Sequence, residues 1–494
     1  MAYILAIDQG TSSSRAIIYD RHAKPVALAQ LPFRQYYPQP GWVEHDAQEI
    51  WQTQSLVCKQ ALAQLQLKPE TITAIGITNQ RETTVIWDRR SGTPIYNAIV
   101  WQDRRTADIC RRLKDQGLEA MIQAKTGLVI DAYFSATKIQ WLLDHVDGAR
   151  NKAERGELAF GTIDSWLAWN LSGGQLHITD VSNASRTLLY NIDKRAWDKD
   201  LLALFNIPEA LLPTVKASSE IYGYTQNKDL DSGIAIAAIA GDQQAALFGQ
   251  LCTEPGMTKC TYGTGSFLMM NTGANRIDSR QGLLTTVAWQ IGEDFSYALE
   301  GSVFIGGAVI QWLRDGLGLF SQAQDSEKLA ANAPDNGGVF FVPALTGLGA
   351  PHWDPHARGA IFGLTRGTTS AHITRAALES ICFQVDELLQ ILSNESGITL
   401  TQLRIDGGAA ANDLLLQIQA NLSTLTVIRP GNLETTALGA AYLAGLATGF
   451  WTFDSLKAHW QIERAVQPAM QPQERIALKK QWLKAVERSK HWLD

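Results

Sequence analysis

The chain has 494 residues, 45% of them hydrophobic, with 43 basic against 49 acidic side chains and a formal net charge of −6. That length exceeds what one hydrophobic core organises, so two large domains or three smaller ones are expected, and the acidic balance excludes an electrostatic nucleic-acid binder. The longest uninterrupted apolar stretches, Ile234–Ala240 among them, are strand-sized and predict no membrane span.

No basic segment precedes the first strand pattern, so no signal peptide is read. The five cysteines, Cys58, Cys110, Cys252, Cys260 and Cys382, show no C-x-x-C spacing; the expectation is a cytoplasmic protein with reduced, buried thiols.

In chain order, ILAI (4–7) and RAIIY (15–19) read as strands on either side of a glycine–hydroxyl turn. AQEIWQTQSLVCKQALAQL (47–65) reads as a helix, with Ile50, Leu56, Val57 and Leu62 at helical spacing. ITAIGIT (72–78) and TTVIW (83–87) are strand candidates. GIAIAAIAGD (233–242) is a strand closed by a glycine and an acid. TKCTYGTGSFLMMN (258–271) is strand, Gly-Thr-Gly turn, strand, and so repeats the opening hairpin in shape though not in letters. VFFVP (339–343), a long helix AHITRAALESICFQVDELLQIL (371–392), LRIDGG (403–408) and TVIRP (426–430) follow, with Ser370 as the helix cap and Gly397 just past its end. Strands alternating with helices imply α/β architecture. The boundary is placed near 248–256, giving domains 1–250 and 251–494, each opened by a strand–Gly-Thr–strand turn, with a ligand in the cleft between them.

The opening turn carries chemistry. Gly10, Thr11, Ser12, Ser13 and Ser14 offer closely spaced N–H groups and hydroxyls, the makings of an anion nest, and Arg15 adds a fixed positive charge. Asp8 would repel a phosphate there unless a hard cation such as Mg²⁺ stood between them. The lysine-bearing G-x-x-x-x-G-K loop is absent. Arg81 beside Glu82 gives one donor fork and one acceptor, a grip for neighbouring hydroxyls. Asp242 stands at the C-terminal end of an apolar strand, where ligands of open α/β sheets bind. A turn of ordinary turn-formers, a surface ion pair and a helix N-cap are the plain alternatives for these three places.

Six motifs in order across the chain, DQGTSSSR, NQRE, GDQQAALFGQ, YGTGSF, GLGAPHWDPHARGAIFGLTRG and DGGAAAN, resemble the FGGY family of carbohydrate kinases, within the actin-like ATPase superfamily. NQRE and GDQQ are closer to its glycerol-phosphorylating members than to its sugar-phosphorylating ones. The resemblance implies two actin-like (ribonuclease H-like) domains, each a central mixed sheet flanked by helices, hinged around a nucleotide cleft. It implies ATP and glycerol as substrates, sn-glycerol 3-phosphate as product, Mg²⁺ as cofactor near Asp8 and Asp242, Asp242 as general base, and a dimer or tetramer.

Carried over by motif, Thr11, Ser12, Ser13, Arg15 and Thr264 would hold the phosphates, and Gly307, Gln311, Gly408 and Asn412 the adenosine end. Arg81, Glu82, Trp101, Tyr133, Asp242, Gln243 and Phe267 would form the glycerol pocket. A related polyol or pentulose kinase, and an actin-like ATPase without a metabolic acceptor, are the alternatives. Ala136 departs from the glycine usual in the family. In some members of the family the loop after a Tyr-Gly pair carries an arginine that holds fructose 1,6-bisphosphate or a histidine that is phosphorylated; the segment 224–232 here has neither, so the resemblance implies insensitivity to both at this loop.

Overall fold

The protein is described here by a computed structural model that covers residues 2–66, 68–226, 230 and 233–493. Most of the segment 224–232, on which the regulatory expectation rests, therefore lies outside the described residues. Within the first half, β1 (Tyr3–Gln9), β2 (Ser13–Tyr19) and β3 (Pro25–Pro32) form an antiparallel meander. The helix α1 (Ala47–Gln64) follows, then β4 (Ile72–Asn79), β5 (Ser219–Tyr224), β6 (Ala235–Gly241) and helix α2 (Asp242–Gly249). β4 lies parallel to β1, and β6 parallel to β4.

The second half restates that order. It comprises β7 (Thr258–Tyr262), β8 (Ser266–Gly273), β9 (Leu284–Ile291), β10 (Asp294–Val303), helices α3 (Ala308–Asp315) and α4 (Ser370–Ser396), β11 (Gln402–Asp406), α5 (Asp413–Ser423), β12 (Thr426–Pro430), α6 (Thr435–Ala447) and β13 (Ile462–Val466). The strand order β10-β8-β7-β11-β12 has the same pairing senses as β3-β2-β1-β4-β6: two antiparallel pairs, then two parallel ones. A single pairing, Ser219 with Ile291, joins β5 to β9 and makes one 13-stranded sheet of the two. This mixed α/β architecture is the fold class the sequence implies.

Alternation along β1 decides the layering. Leu5 and Ile7 belong to one core, with α1, and Ile4 and Ala6 to another, under α2 and α6. A strand covered on both faces reads as a continuous apolar run, which is why its four letters ILAI do not alternate. The second half builds its core around α4. All five cysteines are free and buried, and none of the described helices is long and apolar enough to cross a membrane.

Local expectations fail in three places. Leu56 is exposed while Gln54 and Ser55 are buried, because the inward stripe of α1 runs Ile50, Gln54, Val57, Cys58, Ala61. The strand expected at 83–87 begins only at Val85 and runs to Asp88. Thr369, not Ser370, caps α4, in a reciprocal capping arrangement with His372. VFFVP holds a strand as read, Phe340–Val342, which pairs with Ala360–Phe362 outside the main sheet.

Candidate active site

Three parallel strands end level. Gln9 of β1 pairs with Asn79 of β4, and Asn79 with Gly241 of β6. The residues that follow each end, Gly10–Ser13, Gln80–Glu82 and Asp242, are thereby set side by side, although they are spread over more than two hundred positions of sequence. In the second half Thr261 of β7 stands level with Asp406 of β11, so the turn 263–265 adjoins Gly407 and Gly408. C-terminal ends of parallel strands are where open α/β sheets bind ligands.

The turn after β1 is closed by Gly10 N–H donating to the Ser13 carbonyl at 3.1 Å. Among the described residues the N–H groups of Thr11 and Ser12 have no protein acceptor, which suits an anion nest. Ser14 is a structural member: it is buried and bonded to Gln9 and Thr53. Asp8 and Arg15 are cross-strand partners, 3.9 Å apart. Arg15 donates to Glu434, just ahead of α6. Burial pushes the Asp8 carboxyl up to about 6; Arg15 opposes this, and Glu434 and Asp242 add to it. A carboxylate so placed is short of positive charge.

Arg81 and Glu82 are not the surface ion pair the sequence allowed, nor do they open a strand. They are 3% and 1% exposed. Glu82 has φ 60°, the left-handed region, and its carbonyl accepts from Ser135 at 3.0 Å and Thr84 at 3.1 Å. Such strain in a residue with a side chain gathers at functional sites. Arg81 Nε lies 3.2 Å from Asp242 Oδ1, and its Nη2 lies 3.4 Å from the Tyr133 hydroxyl. Asp242 is the first residue of α2 rather than its cap, and its Oδ1 accepts from the Gln243 N–H at 2.8 Å. Burial raises its carboxyl above the ordinary carboxylate range, against the pull of Arg81 and Lys259.

Trp101 and Tyr133 meet edge to face with centroids 5.6 Å apart, and the Trp101 indole N–H donates to the Thr11 hydroxyl at 3.0 Å. That bond ties the expected glycerol wall to the phosphate turn. Lys138 donates to the carbonyls of Ala132, Tyr133 and Phe134, pinning the segment that carries Tyr133; burial lowers it to about 8. Ala136, the departure from the family pattern, is fully buried in ordinary helical backbone, its N–H donating to Thr187.

From the second half, Phe267 lies on β8 directly opposite Thr261. Thr264 is exposed at the tip of its turn, its N–H without a protein acceptor among the described residues. Its carbonyl accepts from Gly306 at 2.8 Å and Ala308 at 3.1 Å, which docks the start of α3 on the turn. Gly307 is the N-cap of α3, where a Cβ would come within 2.8 Å of the Gly263 carbonyl oxygen. Gln311 is exposed one turn further on. Gly408 is exposed after β11, and Asn412 caps α5 by accepting from Leu415 at 2.9 Å.

Three charged residues went unnoticed in the sequence. Lys259 is fully buried and donates to Gln243 Oε1 and, at 2.8 Å, to Thr261. Arg186 and Glu300 pair with Glu82 and Arg81. An acid within ALEGSV or a lysine opening KCTY is a local signal only in retrospect, because nothing nearby in sequence marks it as inward-facing.

A strand order used twice, with a glycine–threonine turn after the first strand of each use, defines a two-domain actin-like α/β protein. The N-terminal domain of the FGGY family of carbohydrate kinases matches residues 3–249, and its C-terminal domain residues 258–448. The glycerol kinase of Burkholderia ambifaria (strain MC40-6) is 59% identical over 494 residues, 100% of this chain and 99% of that one. That of Burkholderia pseudomallei (strain K96243) is 59% identical over 493, with the same coverage. The crystal structure of Plasmodium falciparum glycerol kinase with ADP superposes with a TM-score of 0.92 at 36% identity, covering 99% of this chain and 98% of that one. Xylulose kinase from Lactobacillus acidophilus, at 24% identity and a TM-score of 0.87, shares the fold. The chain belongs to the FGGY family of carbohydrate kinases.

Proposed function

We propose that the protein transfers the γ-phosphoryl group of ATP to glycerol, giving ADP and sn-glycerol 3-phosphate. The observation that carries the chemistry is the level ending of β1, β4 and β6. It sets a turn with free N–H groups, the carboxylates Asp8 and Asp242, and the Arg81–Glu82 grip on one edge. Relatives of full length at 59% identity, named glycerol kinases, support the acceptor.

Residues 1–250 and 251–494 act as the two halves that close on the substrates. Thr11, Ser12, Ser13, Arg15 and Thr264 take the phosphates, and Gly307, Gln311, Gly408 and Asn412 the adenosine end. Arg81, Glu82 and Gln243 meet the hydroxyls of glycerol, with Trp101, Tyr133 and Phe267 as walls. Asp242, its basicity raised by burial, accepts the proton of the attacking hydroxyl. Arg15 and the two turns stabilise charge on the group in transfer, and closure keeps water from competing as acceptor.

Asp8 and Asp242 would hold Mg²⁺. Among the described residues no cluster of three or more metal-ligating side chains exists, and two carboxylates fit an ion that draws the rest of its shell from phosphate and water. When bound it supplies charge neutralisation of the β- and γ-phosphates. An ADP-release assay across a polyol panel tests the reading: glycerol-dependent turnover is expected. A higher kcat/KM for a ketopentose would make the protein a sugar kinase, and acceptor-independent turnover an ATPase.

A further inference from the structure

Four charged side chains meet beside the expected glycerol pocket with almost no access to water: Arg81, Glu82, Arg186 and Glu300 are 3%, 1%, 0% and 1% exposed. They alternate in sign. Glu300 holds Arg81 with both oxygens, Oε2 accepting from Nη1 at 2.5 Å and Oε1 from Nη2 at 2.9 Å. Glu300 Oε1 also accepts from Arg186 Nη2 at 3.1 Å, and Arg186 Nε donates to Glu82 Oε1 at 2.7 Å.

Stability is a poor reason for such a cluster. Withdrawing four charges from water costs about as much as their pairing returns, and well-packed apolar side chains of the same volume serve as well or better. Orientation is a better reason. With Nη1 and Nη2 both fixed on Glu300, the guanidinium plane of Arg81 cannot turn, and its Nε is left facing Asp242 at 3.2 Å. Arg186 fixes one oxygen of Glu82, a residue whose backbone already stands in the left-handed region. A bidentate fork gives this angular definition, where a single hydrogen bond would not.

We propose that Glu300 and Arg186 are positioning residues for glycerol binding, locking Arg81 and Glu82 in the orientation that engages the hydroxyls. The inference rests on the reading of Arg81 and Glu82 as hydroxyl-binding. Glu300 comes from β10 of the second half and Arg186 from the first, so the grip on the acceptor is braced from both halves. Neither residue touches ATP in this scheme, so their loss acts on one substrate only.

Steady-state kinetics of Glu300→Gln and Glu300→Asp, in the full-length protein, decide it. Glutamine keeps the volume but removes the charge; aspartate keeps the charge but, one methylene shorter, does not reach Arg81. In each, the KM for glycerol rises about 10- to 100-fold, the worth of a charged hydrogen bond. The KM for ATP and the kcat at saturating glycerol stay within about threefold. Arg186→Lys, with charge but no fork, shows the same selectivity. A glycerol KM within about twofold of wild type, or equal losses for both substrates, overturns the proposal. So does loss of fold in both Glu300 variants, which would make the cluster a stability element. Absence of glycerol-dependent turnover in the wild type fails the underlying reading instead, and the inference falls with it.

Discussion

At the scale of single residues, the proposed chemistry centres on Asp242. It stands at the end of β6, takes the N–H of Gln243 on Oδ1, faces Arg81 Nε at 3.2 Å, and is raised by its own burial. Asp242→Asn keeps size and the hydrogen bond from Gln243 but removes the basic oxygen. Turnover is expected to fall about 10²- to 10⁴-fold, the usual worth of a positioned general base, with glycerol affinity much less affected. Single-turnover rates with calorimetric glycerol titration check both; near-wild-type turnover would remove Asp242 from the role. Arg81 makes a second prediction. A buried polar grip rejects ligands that leave its groups unpaired, so propane-1,2-diol and propane-1,3-diol should be far poorer acceptors than glycerol. Arg81→Ala should raise the glycerol KM more than it lowers kcat, as initial rates with each diol and variant will show.

Among the elements, the turn after β1 depends on a brace that its own letters do not reveal. Gln35 Nε2 donates to the Thr11 carbonyl at 3.2 Å and Gln80 Nε2 to the Gly10 carbonyl at 3.1 Å. Both glutamines are joined by His45, whose Nε2 meets Gln35 Oε1 at 2.6 Å and whose Nδ1 meets Gln80 Nε2 at 3.4 Å. That pattern makes Nε2 the donor and Nδ1 the acceptor, a neutral imidazole, and burial lowers its pKa to about 3. The unfolded chain binds this proton near 6.5, so below that pH it carries more protons than the native state. The His45 contribution is therefore complete at neutral pH and is lost as pH falls from about 6.5 toward 3. His45→Gln removes the site. Chemical denaturation of the two proteins between pH 6 and 4 should show wild type losing up to about 1.4 kcal/mol per pH unit more than the variant, and equal slopes would refute it. The ATP KM of the variant should rise while that for glycerol holds. The sequence made β1, β2, β4, β6, β7, β8 and α4 legible because periodicity and turn residues are local signals. It also displayed the turn residues, Arg81–Glu82 and Asp242, since each follows a strand end. Glu300 and Arg186 stayed hidden because their partners lie far along the chain: 219 positions separate Arg81 from Glu300. Lys259, whose partners Gln243 and Thr261 are near in sequence, stayed hidden for another reason. A charge within a strand reads locally as solvent-facing. The mistaken start at Thr83 has the same long-range origin as the first two: Glu82 stands in the left-handed region, and its carbonyl is held by Ser135 from another element.

Taken whole, the molecule turns on two helices that both begin at the site. α2 starts with Asp242, and α6 starts just after Glu434, the partner of Arg15. By sequence α6 belongs to the second half, yet it packs on β4, β6 and β1 of the first half and crosses α2. The crossing is closer than side chains permit. A Cβ at Gly439 would stand 1.8 Å from the Ala245 carbonyl oxygen, one at Gly249 2.0 Å from that of Thr435, and one at Gly76 on β4 2.2 Å from that of Ala440. In each case the obstruction is backbone, which cannot swing aside as a side chain could. Gly439→Ala must therefore push α6 away from α2, and overpacking of this kind costs about 1–3 kcal/mol. The same displacement shifts Glu434 and the first turn of α2 relative to the strand ends, so activity should suffer beyond what reduced stability explains. At a temperature where the variant is fully folded, its kcat is expected to fall at least tenfold, because misplacement of about 1 Å at a reacting centre has effects of that order. Gly449→Ala is the control: it lies after α6, where a Cβ meets nothing within 4 Å, although its φ of 68° adds local strain. It should lose stability without the loss of turnover. Equal kcat in the two variants would show that the helix crossing does not set the geometry of the site.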